Sequence, residues 1–358
     1  MNEPVAVAIQ QFISDASRCP DCTAPTLRFH RDRVHCGACG VDFPVVRGVP
    51  ILMRSDNLIF PRDAYLQAGQ AAKPRRRLSN MFPWKSVNLA YKPNLARFVT
   101  EVAQSKPAHV LVIGCGDQRR WLGQLFSSYP HIIACYSDVD NRATVDLYCD
   151  AHDIPFQDGV FDGAIASAVL EHVLYPERVI GEMYRVLRNG GVVYSEIPFM
   201  QQVHEGAYDF TRYTHSGHRR AFHDFEEISS GMVAGPGTTL LWAIEHFALC
   251  FAPGRILARL TAFTVRTLFF WVKYFDYLLR SSQTAIDGAS CTYFMGRKTP
   301  GKCLSDREIV DGYAGRQHIR HVQPVNHGAT ITWARGERAP ASGVPTTRDQ
   351  NSRRTHPS

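Results

Sequence analysis

From Ala108 to Tyr194 the chain alternates apolar β-type runs with helical stretches: HVLVIG then RRWLGQLFSSY, HIIACYS, TVDLYC, FDGAIAS then PERVIGEMYRVL, and GGVVYSEI. Strands that pair in parallel need long crossovers, and helices supply them while covering both faces of the sheet. The alternation predicts an α/β fold, Rossmann-like, with a doubly wound and mostly parallel sheet. A further strand is expected in CTYFMGRK. The Leu-, Phe- and Trp-rich text from about 238 to 281 reads as a late helical insertion.

The first run ends in HVLVIGCGDQ, residues 109–118. Gly114 and Gly116 turn a strand into a helix N-terminus, which lets the backbone approach a nucleotide closely. A dinucleotide fingerprint would place a third glycine where Arg119 stands. Asp138 closes the second run, placed to accept from two ribose hydroxyls. Asp150 closes the third, where it could accept from an adenine amino group with the Ala151 amide nearby. Each piece alone is weak, because an aspartate at a strand end is more often a turn or cap residue.

The ordered set resembles the class I S-adenosylmethionine-dependent methyltransferases, closest to the branch typified by ubiquinone and menaquinone C-methyltransferases. CDAHDIPFQDGVFD…VLEHV stands where that branch reads GDA-x-x-LPF-x-x-x-x-FD-…-LEH. The resemblance spans roughly 108–200. It implies that the glycine turn holds the methionine end of S-adenosyl-L-methionine, with Gly114, Gly116, Asp138, Asp150, Ala151, Ser167 and Glu171 as the cofactor set. There are two departures: the usual acidic residue two places before the first glycine is Val112, and the usual third glycine is Gln118. Either the methionine ammonium finds another partner, Glu171 or main-chain carbonyls, or cofactor binding is weakened.

After the fifth run, PFMQQVHEGAYDFTRYTHSGHRRAF resembles a segment of a methyltransferase subgroup, PF-x-x-x-x-H-x-x-P-x-DY-x-RFT-x-x-G. The matching residues are His204, Tyr208, Asp209, Arg212, Tyr213 and Thr214. Loops past the carboxyl ends of parallel strands line the ligand crevice, so this stretch is expected beside the acceptor. Methyl transfer needs the acceptor atom in line with the sulfonium, and a base only where that atom carries a proton of high pKa. His204 is the base candidate and Asp209 its orienter. Arg212 would take an acidic group, and His172, Tyr208 and Tyr213 would contact the substrate. The competing reading is that Asp209 and Arg212 form an ion pair fixing the loop, with His204 a structural donor.

Cys19-Pro-Asp-Cys22 and Cys36-Gly-Ala-Cys39 are two CxxC knuckles thirteen residues apart. Four thiolates complete a closed tetrahedral Zn2+ site, structural because no coordination position stays open. The following GVDFPVVRGVPILM resembles the short zinc-ribbon protein that activates tRNA and release-factor methyltransferases, and the ribbon fused to many bacterial methyltransferases. That resemblance covers about 17–54 and implies a methyltransferase partner or fusion. The start, MNEPVAVAIQQF, lacks a signal peptide's basic and apolar regions, so the ten cysteines read as thiols in a reducing, cytoplasmic setting.

The expected organisation is a zinc ribbon over 1–54 and a connector over 55–105, with a helix near Asn94–Gln104 and a basic KPRRR cluster at 73–77. The methyltransferase domain follows over 106–300, and a polar, largely disordered tail over 301–358. Within 240–280, Arg259, Arg266, Lys273 and Arg280 fall seven apart among Phe263, Phe269, Phe270, Trp271 and Phe275. Such a helix suits peripheral contact with the inner membrane face, or else a homodimer or core interface. The leading function is methyl transfer to a small-molecule acceptor, lipid-linked or glycan. The alternatives are an RNA methyltransferase and a non-catalytic scaffold. Nucleic acid is the weaker partner, because Arg28, Arg31 and Arg33 have little aromatic interleaving for stacking.

Overall fold

The computed structural model describes residues 3–68, 85–116 and 118–317. The KPRRR cluster and the expected disorder beyond residue 317 lie outside the described residues. In chain order the elements begin with α1 (Glu3–Ala16), β1 (Leu27–Phe29), β2 (Arg33–Cys36), β3 (Asp42–Val46) and β4 (Val49–Pro50). The connector contributes α2 (Arg62–Ala68) and α3 (Tyr91–Val102). Next come β5 (Ala108–Ile113), α4 (Arg119–Ser127), β6 (Ile132–Asp138), β7 (Leu147–Tyr148), β8 (Phe161–Ser167), α5 (Pro176–Val186) and β9 (Leu187–Pro198). The chain continues through α6 (His215–Ala221), β10 (Glu226–Ala234), α7 (Pro236–Leu249), α8 (Arg255–Phe269), α9 (Phe275–Leu279), α10 (Gln283–Asp287), β11 (Cys291–Arg297) and α11 (Asp306–Asp311).

The central sheet has seven strands in the order β10-β11-β9-β8-β5-β6-β7. Strands β5 to β9 pair in parallel, and β11 runs antiparallel to both β9 and β10. Strand β8 is buried at every position, as a central strand covered on both faces must be. In β5 the period of two divides the core: Leu111 and Ile113 face α5, whereas Val110 and Val112 face α3 and α4. Gly163 has a packing reason, since a Cβ there would lie 2.6 Å from the Phe98 ring of α3. The order reverses between β5 and β8, and the crevice beyond their carboxyl ends is where such folds take ligands.

Residues 1–54 do not stand apart from this sheet. Cys19, Val34, Cys36, Phe43 and Leu52 share one apolar core with Leu111 and Phe156. Phe12 of α1 stacks on His109 at 4.0 Å and meets Phe161 edge-on. Strands β1 to β4 form a small antiparallel sheet, and Ile51, just after it, bridges to Tyr148 of β7. The expected boundary at 54 is therefore no break in packing, and residues up to 317 form one compact unit.

Two further expectations are corrected. Residues 301–317, read as tail, are packed: Ile309 of α11 is buried, and its carbonyl accepts from Arg219 Nη1 at 3.0 Å. The four cations spaced by seven do not form one stripe, because the helix ends at Phe269 and restarts after a turn at 272–274. Arg266 turns inward to the buried Glu245 (2.6 and 2.9 Å), and Lys273 is buried. Only Arg259 and Arg280 of the four are exposed. The hairpin is closed instead by Asp276 of α9, buried, whose carboxylate accepts from the amides of Gly235, Gly237 and Thr238 and so caps α7.

Candidate active site

The turn after β5 holds Gly114 at φ +58 and Gly116 at φ +44, a region that favours glycine. A Cβ on Gly114 would come 2.6 Å from Val169, whereas nothing lies within 4 Å of one built on Gly116. Asp138 closes β6, its Oδ2 accepting from Gly116 N at 2.8 Å and its Oδ1 from Asp140 N at 2.9 Å. Burial raises its pKa against those hydrogen bonds. Each oxygen keeps a lone pair for a further donor. Asp150 is more fully engaged: Oδ1 accepts from His152 N at 3.0 Å and lies 2.6 Å from His152 Nδ1. Its Oδ2 accepts from Asn57 Nδ2 at 2.8 Å. Burial opposes ionisation there, but the hydrogen bonds from His152 and Asn57 more than offset it and lower the pKa. Ala151, buried, opens the short turn that follows.

Ser167 closes β8 and donates to Glu196 Oε2 at 2.7 Å; Tyr194 donates to Glu196 Oε1 at 2.6 Å. Burial pushes the Glu196 carboxyl up to about 7. Gln118, in the place of the third glycine, ties the turn together: Nε2 donates to the Ser167 carbonyl at 3.3 Å and Oε1 accepts from Tyr91 OH at 2.9 Å. Val112 faces away from the crevice, buried among apolar side chains of α3 and α4.

Glu171 is 0 % exposed, and neither carboxylate oxygen has a hydrogen-bond partner among the described residues. Burial pushes its carboxyl up to about 8. Its Oε1 lies 3.7 Å from His172 Nε2, and His172 Nδ1 lies 2.6 Å from the Tyr208 carbonyl. The His204 ring packs edge-on to His172 at 4.9 Å, with its Nδ1 3.3 Å from Asp209 Oδ2. Burial and the neighbouring His172 lower the His204 pKa.

Asp209 also pairs with Arg212 (Nη2 to Oδ2, 2.8 Å), and Arg212 donates to the carbonyls of Gln201 and Thr211. Arg212 is thus engaged within its own loop. Tyr213 turns toward α5, its hydroxyl 3.1 Å from Glu177 Oε1. Thr214 caps α6, accepting from Gly217 N at 3.0 Å. The structure therefore brings Glu171, His172, His204, Tyr208 and Asp209 together, keeps Arg212 beside them as the partner of Asp209, and directs Tyr213 elsewhere.

A family described as a methyltransferase domain matches residues 111–195. The chain carries a methyltransferase domain. The match supports S-adenosylmethionine-dependent methyl transfer by this domain. No curated protein matches the chain in sequence. Among solved structures, the chain is similar to phosphoethanolamine N-methyltransferase 2 of Haemonchus contortus, at 13% identity and a TM-score of 0.37 over 58% of this chain and 53% of that one. It is similar to the [4+2]-cyclase SpnF at 18% identity and 0.35, over 58% of this chain and 81% of that one. A complex of the Haloferax volcanii Trm112 activator with a methyltransferase matches at 17% and 0.35, over 59% and 92%. None of these likenesses bears on the role of a residue.

Several residues of the methyltransferase crevice escape a reading of the sequence. Asn57 and Phe60 come from the connector; Asn57 Oδ1 holds the turn by accepting from Phe60 N at 2.8 Å, and Phe60 stacks on Tyr208 at 6.3 Å. Tyr65 donates to the Val139 carbonyl at 2.6 Å, beside Asp138. Nothing local marks these long-range contacts. Glu196 was visible in principle, as the charge inside the apolar run VVYSEIPF.

The sulfurs of Cys19, Cys22, Cys36 and Cys39 lie within 4.8 Å of one another. The Cys19–Cys39 and Cys22–Cys36 pairs are 3.7 and 3.6 Å apart. Zinc–sulfur bonds of about 2.3 Å in a tetrahedron put sulfurs about 3.8 Å apart, so the donor set fits that ion. Burial works against ionising Cys36, but the amides of Cys39 and Ala38 bring it down to about 6.

Proposed function

We propose that this methyltransferase acts on a small-molecule acceptor, lipid-linked or glycan, held beside His172, His204 and Tyr208. The observation that carries the reading is Glu171, a carboxylate buried at the crevice with both oxygens unpartnered. A buried charge without a partner is costly, so the position calls for a cation. The ammonium of the methionine group supplies one, replacing the contact that Val112 does not make. Gly114 and Gly116 admit the methionine end, Asp138 accepts from the ribose hydroxyls, and Asp150 with the Ala151 amide reads the adenine edge. Ser167 sets the floor between them. Bound there, S-adenosylmethionine supplies an electrophilic methyl group on a sulfonium.

On the acceptor side, Asp209 holds the backbone of His204 by accepting from its amide, and the His204 ring, its Nδ1 facing the Gln202 carbonyl and Asp209, is fit to deal with an acceptor proton through Nε2. Arg212 holds Asp209 and the loop, which favours the loop reading of that pair. Zn2+ is held by Cys19, Cys22, Cys36 and Cys39 in a structural role.

Among the described residues no helix is long and apolar enough to cross a membrane. The α7–α9 hairpin nevertheless exposes Phe247, Phe251, Leu260, Leu268 and Leu278. A face this apolar suits a peripheral seat on the inner membrane leaflet, where an amphiphilic acceptor would be met.

Calorimetry with S-adenosylmethionine tests the pocket. Asp138→Ala is expected to weaken binding by roughly 1.5–3 kcal/mol, the range for hydrogen bonds to a charged group. Unchanged affinity in that variant would remove Asp138 from the site.

A further inference from the structure

We propose that Glu171, His172 and His204 together bind a divalent first-row cation at the acceptor end of the crevice. One donor atom from each residue lies within 4.8 Å of the other two. Two imidazole nitrogens and a carboxylate oxygen form a donor set that suits such ions. Donors about 2.0–2.2 Å from an ion stand about 3 Å apart, so the three must draw in by roughly 1 Å. His204 is at the rim and is the most exposed of the three, so the adjustment falls to its ring.

Three observations point to a ligand rather than to a chance cluster. Glu171 is wholly buried and neither oxygen has a hydrogen-bond partner, so an ionised carboxylate there has only the through-space charge of Arg212 and no direct partner. His172 has its Nδ1 on the Tyr208 carbonyl, which fixes the proton there and leaves the Nε2 lone pair facing Glu171 Oε1. His204 has its Nδ1 on the Gln202 carbonyl at 3.4 Å, with Asp209 Oδ2 3.3 Å away, which leaves its Nε2 available in the same way. An imidazole whose second nitrogen is held by a carbonyl or a carboxylate is oriented as metal-binding histidines are. The cysteine cluster would not compete for the same ion, because soft thiolates and an N2O set differ in preference.

Three protein donors leave positions open for an acceptor oxygen and water. The use of the cation, unlike its binding, rests on the methyl-transfer reading. A cation lowers the pKa of an oxygen bound to it, so the acceptor atom would be oxygen: its proton would pass to solvent water at the rim, the methyl group would move from sulfonium to oxygen, S-adenosylhomocysteine would leave, and His204 would act through the ion rather than take the proton itself. Oε1 of Glu171 faces the imidazoles, and Oε2 remains for the methionine ammonium.

The test is a Mn2+ titration of the full, zinc-loaded protein, followed by electron paramagnetic resonance, with S-adenosylmethionine calorimetry on the same samples. One Mn2+ per chain is expected. His172→Ala and His204→Gln should each weaken it roughly tenfold or more, and Asp209→Asn should do so through the orientation of His204. Circular dichroism checks that the variants fold, and His204→Gln, at the rim, is the variant least exposed to failure. No saturable Mn2+ binding at millimolar ion, or binding unchanged in both histidine variants, overturns the proposal. S-adenosylmethionine binding without Mn2+ binding would leave Glu171 to the ammonium alone and the methyl-transfer reading intact. Histidine-dependent Mn2+ binding without S-adenosylmethionine binding would support the cation site and sink that reading.

Discussion

The imidazole of His218 is fully buried, 3.1 Å from Thr292 Oγ1 on one side and 3.1 Å from Ser195 Oγ on the other. Burial brings its pKa down to about 3, and burial with Arg219 brings His215 to about 4. In the unfolded chain both take up a proton near pH 6.5, whereas the folded chain refuses it. Above 6.5 they leave stability unchanged; below it, stability falls as pH drops toward the folded values, by about 1.4 kcal/mol per pH unit for each fully charged histidine. Glu196, raised by burial, works the other way and loses stability as pH rises through about 7. The clean measurement is therefore a difference. Urea unfolding of His218→Gln against wild type should show the gap moving in the variant's favour by about 1.4 kcal/mol per unit from pH 6 to 4. Parallel curves would mean that His218 is not buried neutral. At this scale Gly114, Gly116 and Asp138 were legible in the sequence, because strand ends and glycine turns are local. Asn57 and Tyr65 were not, because their partners lie more than seventy residues away.

Helical hairpin α7–α9 shows what a spacing argument misses. Seven-residue spacing places cations on one face only if the helix continues, and here it stops before Val272. Arg266 serves Glu245 instead, with Lys85 Nζ also 3.2 Å from that carboxylate. What remains outside is largely apolar, with Arg259 and Arg280 among it, so membrane attachment should depend on Leu260 and Leu268 rather than on Arg266. Burying a leucine side chain contributes roughly 1.5–3 kcal/mol, so Leu260→Asp with Leu268→Asp should release the protein from anionic liposomes by well over tenfold. Sedimentation reads this directly. A wild type that never sediments would leave the hairpin to pairing between copies. Strand β10 was missed for a related reason: EEISSGMVA is half-buried along most of its length and has no alternation to read. The parallel strands were legible because burial on both faces makes them continuous apolar runs.

Across the whole molecule, the cysteine cluster and the sheet share one apolar core. Metal at Cys19, Cys22, Cys36 and Cys39 should therefore stabilise the entire unit rather than a separate module. Chelation, or Cys36→Ser, should lower a single unfolding transition; for a unit of this size a loss of about 2 kcal/mol would shift it by roughly 3 °C. Scanning calorimetry that resolved an unchanged main transition beside a lost minor one would show an independent ribbon. The sequence indicated the four cysteines plainly, but their attachment to β7 depends on Ile51 and Tyr148, which carry no pattern of their own.

That attachment also bears on solubility. Strand β7 is only two residues long and ends the central sheet; the Leu52 amide donates to the Tyr148 carbonyl at 2.9 Å and occupies the flank that would otherwise face water. An unpaired flank is a template on which a second chain can zip. Stripping the metal would thus do more than loosen a small appendage. It would bare the outermost strand of the catalytic sheet, and the damaged protein would be lost to aggregation before it was lost to inactivity.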